Sequence, residues 1–163
     1  MSTFAVFQTR ARAIDHLGRG QIADTPTAVS ELWKNAYDAY ARNVALHIFD
    51  GKAPLAGIFD DGCGMTASDL REKWLVVGTE SKVGKGSVAD ETFGLSPRVR
   101  LGEKGIGRLS AAFLSPVTLV VTKKMNAPYA ALLVDWRFFE NPYLLISDVR
   151  FPLSIDFTVK LVL

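Results

Sequence analysis

Glu31, Asn35 and Asp38 stand four and three residues apart, so on a helix they line one face. An amide between two acids is an unusual polar face, because a solvated one mixes Lys, Arg and Glu. Asparagine offers a neutral oxygen of the kind Mg2+ takes while keeping several of its waters. Glu31, one turn earlier, is placed to hold a water and activate it by accepting its proton. Asp38, one turn later, suits a supporting role. A polar face turned to solvent is the competing reading. Against it, Val29, Leu32, Ala36, Ala39 and Tyr40 recur at helical spacing, which argues for a largely covered helix whose polar groups need partners.

Two further segments carry chemistry. Asp60-Asp61-Gly62-Cys63-Gly64 closes an apolar stretch. An acid at a strand end can accept a hydrogen bond from an exocyclic amine such as adenine's, and Gly62 and Gly64 let the loop pass close to a flat base. An Asx-type turn is the alternative, since Asp-Gly is a common turn pair. Gly102-Glu103-Lys104-Gly105-Ile106-Gly107 opens a helix. Its glycines let backbone N–H groups approach a ligand, and the free N–H groups of a helix start attract anions. A phosphate chain is the natural guest, with Lys104 adding charge and Arg108 a candidate to do so. A tight turn with a helix cap explains the same glycines. Other nucleotide motifs are excluded: in "VGKGS" (83–87) Lys85 is followed by Gly86, not the Ser or Thr of a Walker loop, and the glycine loop does not directly follow a strand as a dinucleotide site requires.

The elements that must hold these residues follow from periodicity and punctuation. A short helix is expected over residues 7–17. Thr25 as N-cap and Pro26 as first helical residue start a second that runs to about Ala41. "VALHIF" (44–49) and "LAGIFD" (55–60) read as a strand pair turning near Gly51. Thr66 and Asp69 resemble a capping box, with a helix to about Val77 stopped by Gly78. Residues 78–102 are irregular, a long lid-like loop. "GEKGIGRLSAAFL" becomes helical. "VTLVVT", "YAALLVDW", "YLLISDVRF" and "IDFTVKLVL" read as strands. Helices and hairpins in this order predict an α+β sandwich, a mixed sheet with helices on one face. The chain ends inside an apparent strand, which is read as a fragment of a longer protein.

Bulk properties narrow the classes. The 163 residues suffice for one domain with a sizeable core, and 48% hydrophobic with 22% charged is globular composition. A net charge of +2 demands no polyanionic partner. The single cysteine, Cys63, excludes an internal disulfide and a cysteine metal cage, and is read as a small buried filler. There is neither a membrane-length apolar run nor a secretory signal at the N-terminus, so the chain is read as cytosolic. Trp33, Trp74 and Trp136 are assigned to core packing, and His47 to packing within a strand.

Together the three segments resemble the GHKL ATPases, the group of gyrase, the large heat-shock chaperone, histidine kinases and MutL. The pattern Glu-x-x-x-Asn-Ala-x-Asp, Asp-x-Gly-x-Gly, Gly-x-x-Gly-x-Gly is met in order and spacing by Glu31 to Asp38, Asp60 to Gly64 and Gly102 to Gly107. The likeness covers residues 21 to about 122. "DDGCGM" and "GEKGIGR" look most like the MORC, MutL and heat-shock branches. The resemblance implies the Bergerat fold, with ATP and Mg2+ between sheet and helices under a mobile lid. It makes residues 21–163 the ATP-binding domain and residues 1–20 an N-terminal arm that crosses to a partner subunit. By residue it implies Glu31 as general base, Asn35 as Mg2+ ligand with Asp38 beside it, and Asp60 as adenine contact with Gly62, Gly64 and Met65 near it. Gly102, Lys104, Gly105, Ile106 and Gly107 become the phosphate loop, and Thr79 and Lys82, with Ser81, lid contacts. The family often has a Gly-Thr pair on a late strand that supports the adenine-binding Asp. Here Thr158 stands without the glycine.

Glu31 favours hydrolysis over histidine-kinase phosphotransfer, whose asparagine helix typically lacks that acid. His16, in "RAIDHLG", lacks the acidic residue that usually follows a phosphoacceptor. The resemblance implies slow ATP turnover coupled to homodimerisation, with a DNA or protein client reached through further domains and no membrane. A nucleotide-gated scaffold with little turnover is the alternative.

Overall fold

The computed structural model describes residues 6–78, 92–102 and 107–156. The architecture is α+β. Helices α1 (Arg12–Gly18) and α2 (Thr25–Asp38) precede a hairpin of β1 (Val44–Phe49) and β2 (Leu55–Asp60). Helix α3 (Ala67–Asp69) runs on into a π-helical turn, Leu70–Trp74. A 3-10 turn, Gly107–Ser110, leads into α4 (Ala111–Leu114). Strands β3 (Val117–Thr122), β4 (Ala130–Asp135) and β5 (Leu153–Ile155) complete the described chain, with 3-10 turns at Trp136–Glu140 and Ile146–Asp148.

The strands form a two-stranded sheet, β1-β2, and a three-stranded sheet, β3-β4-β5. Every described pairing is antiparallel. Both hairpin strands fall where the sequence puts them, with Val44 opposite Asp60 and Phe49 opposite Leu55. In β4 the period of two is clean: Ala130, Leu132 and Val134 are buried and Leu133 is exposed. Their partners Thr122, Val120 and Thr118 share that face, while Val117, Leu119 and Val121 face out. The core gathers on the buried face, where Ala11, Ile14, Leu70, Leu109, Ala111, Ala112, Trp136 and Phe139 meet the β4 residues. Trp74 packs against this cluster and Trp136 lies within it, its indole N–H donating to Thr118 Oγ1 at 2.8 Å. Trp33 departs from expectation: it is 46% exposed on α2 and not in the core. His47 is exposed on β1, its ring stacked on that of Phe49 at 6.3 Å between centres and edge-on to that of Phe59 at 5.6 Å.

Several boundaries differ from the sequence reading for local reasons. Asp24, not Thr25, caps α2, because its carboxylate accepts from the Thr27 N–H at 2.8 Å, which puts Pro26 in the first turn. The helix ends at Asp38 rather than near Ala41. Tyr40 takes a left-handed φ of 62°, and the N–H groups of Tyr40 and Ala41 turn back onto the carbonyls of Tyr37 and Ala36, a Schellman closure. The Thr66/Asp69 capping box is present as expected, but its helix closes at Trp74 through an N–H of Leu75 reaching Leu70 O. Residues 7–10 are not helical. They run beside residues 143–146, with Ala11 N–H on Leu144 O and Ile146 N–H on Thr9 O.

Residues 143–151 do not form the expected strand. Asp148 captures the Leu145 N–H with its carboxylate and closes a 3-10 turn. The strand in this region is instead β5, three residues long. Most of the last apparent strand, residues 157–163, lies outside the described residues.

Candidate nucleotide site

Helix α2 is the organising element, and each of the other two segments docks on it. At its middle, Glu31 and Asn35 face Gly107. A Cβ placed on Gly107 would come within 3.0 Å of Glu31 Oε2, 3.5 Å of Asn35 Oδ1 and 3.7 Å of its Nδ2. The absent side chain is what lets the end of the glycine motif lie against the acid and the amide. Glu31's other oxygen accepts from the Lys34 ammonium at 2.6 Å.

One turn on, Asp38 acts as a two-armed acceptor. Its Oδ1 takes the Leu101 N–H at 2.9 Å and its Oδ2 the Gly102 N–H at 3.0 Å. The carboxylate thereby fixes the entry to the glycine motif. What Asp38 supports directly is the main chain of Leu101 and Gly102.

At the C-terminal end of α2 the Asp60–Gly64 loop packs in. Cys63 N–H donates to Ala39 O at 2.8 Å, and a Cβ on Gly62 would meet Ala39 at 2.9 Å. Gly64 has a φ of 63°, and any side chain there would overlap the Lys123 carbonyl beyond β3. Met65 N–H donates to Thr122 Oγ1 at 2.9 Å.

The two adjacent acids of this loop have separate tasks. Asp60 Oδ1 accepts from Gly62 N–H at 2.9 Å, so the Asx-type turn weighed from the sequence is present. Asp61 turns the other way, onto the chain entering β1. It accepts from Asn43 N–H at 2.8 Å, from Asn43 Nδ2 at 2.8 Å and from Arg42 N–H at 2.7 Å. Those donors, Asn43's first, hold its carboxyl down at about 2.

Arg108 does not present its charge as the sequence suggested. Its terminal nitrogens donate to Lys73 O at 2.6 Å and Val76 O at 2.8 Å, and burial draws its pKa down. Sequence reasoning missed Arg98. Its guanidinium donates to Tyr37 O at 3.0 Å and Ala41 O at 2.9 Å, and lies 4.7 and 5.3 Å from the ring centres of Tyr37 and Tyr40. An arginine in an irregular stretch gives no local signal of this, because its partners lie about 60 residues away. Thr122 was missed for a similar reason: as the last residue of an alternating strand it looks like any other strand threonine.

Among the predicted site residues, Glu31, Asn35, Asp38, Gly102 and Gly107 are thus brought together. Asp60, Gly62, Gly64 and Met65 sit at the far end of the same helix. Thr79, Ser81, Lys82, Lys104, Gly105, Ile106 and Thr158 lie outside the described residues. No cluster of three or more His, Cys, Asp or Glu side chains able to hold a metal occurs among the described residues. The Asn35 amide supplies a hard oxygen of the kind that suits a cation taking few protein ligands, as Mg2+ does. No described helix is long and apolar enough to cross a membrane.

Comparison with known proteins identifies the family. Residues 24–148 match the family described as histidine kinase-, DNA gyrase B-, and HSP90-like ATPase. Among individual proteins, the chain is 29% identical over 121 residues to the DNA mismatch repair protein MutL of Anaplasma phagocytophilum, a match covering 74% of this chain and 18% of that protein. The MutL of Caldanaerobacter subterraneus subsp. tengcongensis is 30% identical over 124 residues, covering 76% of this chain and 20% of its own. That of Beijerinckia indica is 40% identical over 58 residues, 35% of this chain and 9% of its own. The chain thus spans about a fifth or less of the length of the curated relatives it matches.

Proposed function

Because the chain belongs to the histidine kinase-, DNA gyrase B- and HSP90-like ATPase family, we propose that it binds ATP with Mg2+ and hydrolyses it slowly. ATP binding then drives homodimerisation and conformational change in a larger protein. The observation that carries this reading is the contact of Glu31 and Asn35 with Gly107. It supports the reading because a carboxylate and an amide oxygen then stand at the end of a glycine motif suited to phosphates.

Asn35 would hold Mg2+ through its amide oxygen, and bound Mg2+ would neutralise phosphate charge. Glu31 orients the attacking water and takes its proton through Oε2, the oxygen that faces Gly107. Asp38 keeps the Leu101 and Gly102 amides in place, so the glycine motif meets phosphates in a fixed pose. Asp60 accepts from the exocyclic amine of adenine, and Gly62, Gly64 and Met65 shape that end of the site. Lys104, Gly105, Ile106, Thr79 and Lys82 are assigned to the phosphates by the family pattern, and Thr158 to support of Asp60. Glu31 also separates hydrolysis from phosphotransfer to histidine: an acid beside the metal ligand serves a water nucleophile.

The relatives carry the name DNA mismatch repair protein, which makes DNA the first client class to test. Residues 1–20 are proposed to contribute to the dimer, and the chain to work in the cytoplasm as the ATP-binding part of a longer protein. The direct test is titration calorimetry with a non-hydrolysable ATP analogue, with and without Mg2+, on wild type and Glu31→Ala, with phosphate release from ATP measured for both. Binding retained by both proteins, with turnover lost only in the variant, is the expected result. Absence of binding by folded wild type would refute the proposal.

A further inference from the structure

Of the three arginines that flank the glycine motif, two reach helix ends: Arg98, four residues before Gly102, and Arg108, directly after Gly107. Free cations beside a phosphate-binding segment would be expected to serve the phosphates directly. Neither is free. Arg98 donates to two carbonyls at the C-terminal end of α2, those of Tyr37 and Ala41, and rests on the rings of Tyr37 and Tyr40. Arg108 donates to the carbonyls of Lys73 and Val76, where the π-helical turn ends. Its Nε is buried and has no partner among the described residues.

Both arginines therefore do the same thing at opposite ends of the motif. Each guanidinium bridges two carbonyls at a helix end, Arg108 with both terminal nitrogens and Arg98 with Nη1 alone, where unsatisfied acceptors and the negative pole of the helix favour a cation. On the entry side the fixation is double. Arg98 ties residue 98 to the last turn of α2, and Asp38 in that turn takes the amides of Leu101 and Gly102. On the exit side, Gly107 lies against Glu31 and Asn35 while Arg108 pins the next residue to a different helix end.

We infer that Arg98 and Arg108 are positioning residues that suspend the ends of the glycine motif between two helix C-termini, and that they act on bound phosphates through geometry and not through their charge. This rests on the nucleotide reading above. A lysine keeps the charge but lacks the planar fork that Arg108 uses and the flat face that Arg98 lays on Tyr37 and Tyr40, so Arg→Lys separates the two roles.

The experiment measures calorimetric affinity for ATP with Mg2+ and for adenosine on the full chain, in wild type, Arg98→Lys, Arg108→Lys and the two alanine variants, with thermal melts of each. Adenosine lacks phosphates and reports the rest of the pocket. Misplacing the motif by about an ångström should weaken ATP binding on the order of tenfold in both lysine variants. Adenosine affinity should stay within about twofold and the melting temperature should change little, as for a part-exposed contact. The lysine variants carry the test if an alanine variant fails to fold. Wild-type ATP affinity in the lysine variants would overturn the inference, since charge alone would then suffice. Equal losses for ATP and adenosine would overturn it too, as the mark of general loosening. Folded wild type that binds neither ligand removes the nucleotide reading itself, an outcome distinct from both.

Discussion

A Cβ on Gly107 would stand 3.0 Å from Oε2 of Glu31, the acid proposed to take a proton from water. The nearest backbone is not what crowds it; the neighbours are the ends of two side chains. Gly107→Ala should therefore fold, because Glu31 and Asn35 can swing aside, but the proton acceptor would leave its place. A few tenths of an ångström clear the contact, but a rotamer change that moves the carboxylate by about an ångström can cost on the order of a hundredfold in rate. Steady-state turnover should fall by roughly that factor, with a melting temperature near that of wild type. Unchanged turnover would mean that Glu31 does not work from the position seen here.

Gly64 offers the opposite case. Its φ of 63° and the Lys123 carbonyl in the path of any Cβ are both backbone constraints that no rotamer relieves. Gly64→Ala should destabilise the fold by roughly 2–4 kcal/mol, adding left-handed strain to a backbone clash. Urea denaturation is the check. A loss under about 0.5 kcal/mol, as at an ordinary surface site, would show that the loop has room to relax.

How much of this was legible in advance depends on how far apart the partners lie. The β1-β2 hairpin and the Thr66/Asp69 capping box rest on residues close in sequence, and both are found where the pattern puts them. The site motifs were legible as types and spacings, and α2 does place Glu31, Asn35 and Asp38 on one side. What the spacing could not say is that Asp38 reaches two amides more than 60 residues on. The misread strand at residues 143–151 shows the same limit. Leu144 and Ile146 alternate with other residues as strand positions do, but Asp148 supplies a local partner for Leu145 N–H and turns the chain. The short β5 exists through its pairing with β4, which no three-residue window reveals.

Asp61 yields a pH prediction. Asn43 and Arg42 donors hold its native carboxyl at about 2, against about 4 for an unfolded aspartate. A depressed native pKa stabilises the fold above the unfolded value, and that contribution fades as pH falls through the native one. The stability difference between wild type and Asp61→Asn should be constant above about pH 5 and shrink between about pH 4 and pH 2. Urea melts across that range test it. A difference that widens on acidification would contradict the hydrogen bonds assigned to Asp61.

Lys34 holds one oxygen of Glu31 at 2.6 Å and leaves the other facing Gly107. The pair is one helical turn long and partly exposed, so its worth to stability is small, about 0.5 kcal/mol or less. Its consequence lies in orientation: with Oε1 occupied, the carboxylate has a preferred face. Lys34→Ala should leave the urea midpoint within error of wild type and ATP affinity unchanged. It should lower the rate of the bound complex by roughly three- to tenfold, the cost of a proton acceptor that samples several rotamers. Glu31→Ala should lose turnover far more, roughly a hundredfold or beyond. If the Lys34 variant instead turns over faster, the ammonium restrains the acid and does not aim it. If it loses ATP affinity with an intact fold, Lys34 belongs among the groups that hold phosphate.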